Sequence, residues 1–233
     1  MKIVFLIGYY FKSMKKLFSL FAVAFLLTSC VTKVALAPEY WNKPSKVGVF
    51  VHVNAPAKFR EGSQGLLDLA VTSGDKYAEA LSLIGTEIQP KEDLIKFYSD
   101  VLKSHGKEIV LIDESFDPKT AAKFKGEKAE GKKYATYDFK DLKSKYNIDE
   151  VLFSNVNYGF MISYYGMIET GKAGYTNIAT NLVNLSDNSL DFANTTVQLA
   201  PISKWKDNNY QNSVSSVKKT MDKAIEEEAK VFK

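Results

Sequence analysis

The sequence predicts an α/β fold with α+β character: one mixed sheet packed with helices, ordered β-α-α-β-α-β, then an antiparallel meander, then a carboxy-terminal helix. Three observations predict it. The first half alternates short β-rich apolar runs with segments whose apolar residues recur at helical spacing, as parallel strands with helical crossovers do. The second half is turn-punctuated and rich in Tyr, Ile, Thr and Val, which argues for antiparallel strands. The 233 residues are 45% hydrophobic and 25% charged with a single Cys, a balance that excludes disordered, collagen-like and disulfide-framed chains.

The chain begins with export signals. Lys15 and Lys16 precede Leu17 to Leu27, eleven residues without a charge, and Thr28-Ser29-Cys30 follows. A basic start, a short apolar stretch and small residues before a boundary are the parts of a secretory signal peptide. Eleven helical residues cover about 16 Å, half of a bilayer core, so the stretch is too short to span one. Met14 stands immediately before this complete signal and is the expected start of translation. Leu27-Thr28-Ser29-Cys30 resembles the lipobox of bacterial lipoproteins. The resemblance implies acylation of the Cys30 sulfur, cleavage before Cys30 and a membrane held through lipid. Val31-Thr32 carry no aspartate and no acidic run follows, which in the enterobacterial pattern implies the periplasmic face of the outer membrane. The expected organisation is residues 1–29 as signal peptide, 30–45 as a lipidated tether and 46–233 as one periplasmic domain.

Within that domain Val47 to Val53 reads as a buried first strand ending at Asn54-Ala55-Pro56. Arg60 to Gly65 reads as a loop leading into Leu66 to Val71. Tyr77, Ala80, Leu81 and Ile84 make one helical stripe, and Leu94, Ile95, Tyr98, Val101 and Leu102 a second, stopped at Gly106. Glu108 to Ile112 is the second strand. Asp117-Pro118 predicts a short helix start, and Phe139, Leu142 and Tyr146 another short helix. Glu150 to Val156 is the third strand. Turns are expected around Gly159 to Gly166, Thr170 to Gly174 and Ser186 to Ser189. Ser213 to Phe232 is the last helix, with Val214, Val217, Met221, Ala224, Ile225 and Phe232 inward and Glu226-Glu227-Glu228 outward.

Three segments carry a further resemblance. Lys46 to Val51, Lys145 to Leu152 and Leu182 to Leu190 are similar to matching segments of the amino-terminal domain of the Tol-Pal propeller protein. Curli-secretion and penicillin-binding-protein-activator lipoproteins show the same likeness. The family has glycine where this chain has Asn147. The resemblance implies a fold and a compartment and transfers no functional residue.

Few residues point to chemistry. His52 and His105 are the only histidines, one on a strand of apolar residues and one at a helix end. With one cysteine and no paired histidines no metal site is expected, and no cofactor beyond the covalent lipid on Cys30. Asp113, Glu114 and Asp117 follow the second strand, where a carboxylate cluster is able to hold a cation or act as general acid and base, against the alternative of helix capping and a solvated turn. Gly62-Ser63-Gln64-Gly65 opens a helix and is able to offer amide donors to an anion, but fits no nucleotide fingerprint. The six lysines from Lys119 to Lys133 read as a solvated insertion, with contact to anionic headgroups or lipopolysaccharide as the alternative. Tyr158, Phe160, Tyr164, Tyr165 and Tyr175 bracket an expected turn and form the candidate binding surface, able to stack on a glycan or anchor a protein, against the alternative of a sheet face packed on helices.

The expected function is therefore a non-enzymatic protein-binding or assembly module of the bacterial cell envelope. The alternative is a periplasmic small-ligand or glycan-binding lipoprotein. Nucleic acid is not an expected partner, although the net charge is +4. Lys2, Lys12, Lys15 and Lys16 all lie within residues 1–29, which contain no acid. The remainder holds 27 basic and 27 acidic residues and is formally neutral.

Overall fold

The computed structural model describes residues 33–232. The expected signal peptide, residues 1–29, and Cys30 lie outside these described residues. Strands β1 (Lys46–Val53) and β2 (Ala57–Ser63) come first, then helices α1 (Leu66–Val71), α2 (Ala78–Glu87) and α3 (Pro90–Ser104). β3 (Glu108–Leu111) and α4 (Asp141–Tyr146) follow. The long strands β4 (Glu150–Tyr165), β5 (Ile168–Asn184) and β6 (Leu190–Pro201) precede α5 (Gln211–Val231). All six strands form one mixed sheet of order β3-β1-β4-β5-β6, with β2 also on β4. The predicted class is the observed one.

β4 is the spine of the sheet. Its first half pairs in parallel with β1, from Val47 opposite Glu150 to Val53 opposite Val156. Its second half pairs in parallel with β2, from Ala57 opposite Gly159 to Ser63 opposite Tyr165. Asn54, Ala55 and Pro56 thus face only Asn157 and Tyr158, so β1 and β2 act as one strand bent by a single extra residue. Gly159 sits at φ +135°, and a Cβ there would lie 2.2 Å from the Ala57 carbonyl oxygen. The glycine is part of the bend.

Strand alternation sorts the side chains into two faces. Leu152, Val156, Ile178, Leu182 and Phe192 face Leu94, Tyr98 and Leu102 of α3 and Val214, Val217, Met221 and Ala224 of α5. On the other face Val151, Phe153 and Val183 pack under Ile112, Phe139, Leu142 and Ile148. A polar knot ties α5 to the sheet. Glu228 is fully buried. Its Oε2 accepts from Thr180 at 2.8 Å and Tyr98 at 3.2 Å, and its Oε1 from Thr196 at 2.5 Å and Asn194 at 3.2 Å.

Several expectations change. Ala57 to Ser63, read in part as a loop, is strand β2, whose charged residues hid its period. The turn expected around Gly159–Gly166 comes only at Gly166 and Met167, after β4 has run on to Tyr165, and the one expected at Thr170–Gly174 lies inside β5. Gly159 serves the bend, and Gly174 lets the backbone of Ser216 on α5 approach to where a Cβ would sit 2.7 Å away. Asp117 closes one turn, with Ala121 N–H donating to its carbonyl at 2.8 Å, and no helix follows. Glu228, expected outward, lies on the inward stripe because it continues the spacing of Met221 and Ala224.

The expected tether is also corrected for residues 33–45, which are docked as a strap. Val34 and Ala193 exchange two backbone hydrogen bonds of 2.9 and 3.0 Å. A 3-10 turn, Pro38–Asn42, buries Tyr40, whose hydroxyl donates to Glu150 at 2.7 Å. Lys107 Nζ donates to the carbonyls of Tyr40 (2.9 Å) and Lys43 (2.6 Å) and lies 3.8 Å from the Tyr40 ring centroid. Trp41 stacks on His105 at 3.9 Å. Proline and a lack of periodicity concealed a segment fixed by side chains from elsewhere.

Candidate interaction surface

The five aromatic residues singled out from the sequence do not share a surface. Tyr158, Phe160 and Tyr164 occupy alternate positions of β4 and all point into the helical layer, where they are buried. The Tyr158 hydroxyl donates to the Ile88 carbonyl at 3.3 Å, and Phe160 lies 5.5 Å from the Tyr77 ring. Tyr175 is buried on the other face against Phe59, at 4.6 Å between ring centroids. Tyr165, out of phase with Tyr158, Phe160 and Tyr164 and last in the strand, is 77% exposed. Four rings are core and one is surface, because the turn expected between them is absent.

Aromatic density in the sequence does not reveal what surrounds Tyr165. Met167 of the β4–β5 turn and Ile168 at the start of β5 are exposed, and so are Leu66, Leu67 and Val71 of α1. The two groups are held together. Gln64 Nε2 donates to the Gly166 carbonyl at 2.9 Å, and Gly166 N–H donates to the Ser63 carbonyl at 3.2 Å. Leu66 is 87% exposed. Scattered apolar residues on a surface are ordinary, whereas six large ones gathered at one end of a sheet form a patch of the kind that interaction surfaces present. The adjacent letters Leu66-Leu67 are the signal that was available, since a six-residue helix has no room to bury both.

Beside the patch lies a groove of about 380 Å³ lined by Lys58, Thr72, Lys76, Tyr77, Met167 and Glu169. Glu169 accepts from Lys76 at 2.7 Å, Tyr77 at 2.9 Å and Lys172 at 2.9 Å. Burial works against its charge, but these three hydrogen bonds outweigh burial and hold its carboxyl down at about 2. Burial, reinforced by a hydrogen bond to Glu169, pushes the Tyr77 hydroxyl up. Lys58 donates only to the Thr72 carbonyl at 2.8 Å, and burial with the charge of Arg60 lowers its amine. Arg60 is committed to Gln64 and Thr72 and lies over the Tyr164 ring at 5.5 Å. Among the described residues neither Lys58 nor Arg60 has an acidic partner within ion-pair distance.

The remaining candidates stand apart. Asp113 pairs with Lys91, Glu114 with Lys145 and Tyr146, and Asp117 with its own turn through Lys119 N–H and Thr120. Each carboxyl is lowered by those hydrogen bonds and is committed to local structure. His52 bonds the Asn54 side chain at 3.1 Å, and His105 faces the Val101 carbonyl at 3.0 Å. Gly65 N–H, which an anion would need, donates to Asp68 at 2.8 Å. Among the described residues no three His, Cys, Asp or Glu side chains gather as metal ligands, and no helix is long and apolar enough to cross a membrane.

No family model and no curated protein matches this sequence. Solved structures with some likeness include the lipoprotein GNA1162 from Neisseria meningitidis, 11% identical, covering 79% of this chain and 99% of that one at a TM-score of 0.33. A homolog of a neuraminyllactose-binding hemagglutinin from Helicobacter pylori is 11% identical, covering 86% of each chain at 0.35. A PelC dodecamer from Paraburkholderia phytofirmans is 12% identical, covering 82% of this chain and 92% of that one at 0.26. None superposes closely enough to carry a residue or an activity over to this chain.

Proposed function

We propose that this protein is a lipid-anchored, non-enzymatic binding module of the bacterial cell envelope, held through Cys30 on the periplasmic face of the outer membrane. It engages an envelope protein through the apolar end formed by α1 and the β4–β5 turn. The observation that carries the reading is the cluster of Leu66, Leu67, Val71, Tyr165, Met167 and Ile168, exposed together on one end of the sheet. Burying one such side chain in a partner contributes about 1.5–3 kcal/mol, so a few of them suffice for a stable complex. The signal-peptide pattern and the lipobox at Leu27–Cys30 support the compartment.

Two experiments test this reading. A photo-crosslinking residue at Tyr165, activated in cells and followed by mass spectrometry, recovers a discrete envelope partner; recovery of none counts against protein binding. Cys30→Ser abolishes palmitate labelling and releases the protein from the membrane fraction; unchanged labelling removes the lipid anchor from the reading. A second reading is favoured by Lys58, whose amine at the rim of the groove lacks an acidic partner among the described residues. There the ligand would be a small anion with an apolar portion lying on Met167 and Tyr77. Loss of binding in Lys58→Met, with crosslinking from Tyr165 intact, separates the two.

A further inference from the structure

The docked strap turns an expected sixteen-residue tether into a short leash. Val34 is fixed to Ala193 on the outer edge of β6 by two backbone hydrogen bonds, and residues 38–45 are clamped by Lys107. Only residues 31–33 separate Cys30 from that fixed point. Whatever their conformation, the four steps from Cys30 to Val34 span at most about 14 Å. We infer that the lipid anchor holds the open edge of β6 against the bilayer, with Val197 and Leu199 in the headgroup layer. This rests on the lipoprotein reading and adds an orientation to it.

β6 has the features such a contact requires. Val197 and Leu199 are each 49% exposed on the sheet face opposite the helices. They stand about 14 and 20 Å along the strand from Ala193, comparable with the reach of the leash. Ala193 turns both its N–H and C=O away from β5 towards Val34, and in an antiparallel ladder Thr195, Val197 and Leu199 do so in the same phase. Such an edge needs water or polar headgroups beside it, which places it at the interface and keeps it out of the hydrocarbon. Exposed Lys33 adds a cation beside the anchored bridge.

The chemistry of the chain supplies the test. Cys30 is the only cysteine, and acylation consumes its sulfur, so a cysteine introduced elsewhere labels alone. Full-length lipidated protein carrying nitrobenzoxadiazole at Leu199→Cys or at Leu111→Cys is reconstituted into phosphatidylethanolamine–phosphatidylglycerol vesicles containing a headgroup nitroxide lipid. Leu111 is exposed on β3, at the opposite edge of the sheet, about 19 Å across four strand spacings. The expected result is blue-shifted, quenched emission at 199 and neither change at 111. Inserting about twelve Gly and Ser residues after Thr32 adds about 19 Å of mean reach and should erase the difference. Equal quenching at both sites, or at neither, overturns the inference. Protection at 199 that persists in detergent also overturns it, in favour of a protein covering the edge. Wild-type protein that takes up no palmitate overturns the lipoprotein reading as well, whereas palmitoylated protein with equal quenching overturns this orientation alone.

Discussion

β4 begins at Glu150 inside the strap and ends at Tyr165 inside the apolar patch, and its two ends are built on opposite principles. At the first, Glu150 accepts from Tyr40 and Ser45, Lys107 is closed in by two carbonyls, a hydroxyl and a ring, and Tyr40 is buried. Burial raises the Glu150 carboxyl and lowers the Lys107 amine, and both are retained because the strap supplies their partners. At the second, Lys58 and Arg60 have no acidic partner among the described residues, and six large apolar side chains meet solvent. The same strand thus joins an end whose interactions are completed within the chain to an end whose interactions are not. The completed end holds structure, and the incomplete end is where an outside molecule would gain most by binding.

This contrast breaks most clearly where the closed region loses a buried partner. Glu228→Ala strands four donors around a cavity and should lower unfolding free energy by about 3–5 kcal/mol, read as a lower urea midpoint. A loss under about 1 kcal/mol would mean that the knot under α5 is dispensable. Lys107→Met should cost about 2 kcal/mol and expose residues 33–45 to protease while the sheet persists. If cleavage there stays as slow as in wild type, the strap does not depend on the lysine.

At the open end the effects on stability are smaller. The Glu169 carboxyl is held below its ordinary value, so the stability it contributes is complete above about pH 4.5 and is lost as pH falls towards about 2. Melting curves across that window should lose about 1–2 kcal/mol, and Glu169→Gln should remove the part of that loss due to this group. A variant that keeps the full pH dependence assigns it to other carboxyls. Smallest of all, Leu66→Ser and Leu67→Ser should shift stability by less than about 0.5 kcal/mol while abolishing crosslinking from Tyr165. A large loss of stability would show that these residues serve the fold, and the contrast between the two ends would fail.

The fold was legible where one periodicity dominated. Val47 to Val53, the stripe of α3 and the stripe of α5 each repeat at one spacing over enough residues to exclude the alternative. It was illegible where a residue served a distant neighbour. Gly159 and Gly174 read as turns because nothing nearby shows that β2 and α5 must approach them. Asn147, which departs from the glycine of the resembling proteins, sits at φ 51° in a left-handed helix cap that asparagine tolerates. Its role appears only with the backbone. Glu228 was placed outward by its charge although its spacing placed it inward, and the spacing won because four polar groups await it. The binding surface was read from aromatic density. Alternation along an uninterrupted β4 sent three of those rings inward, and the aliphatic Leu66-Leu67 pair drew no notice.

The shared edge of β4 also sets an order of assembly. β4, β5 and β6 are consecutive and pair through short turns, so they are able to form early. β1 and β2 pair in parallel with β4, and their partners are made about a hundred residues later in the chain. A chain made amino terminus first therefore delivers Val47 to Val53, an apolar strand, long before anything exists to cover it. Until Glu150 and the residues after it emerge, that segment depends on something other than its own fold to keep it from aggregating.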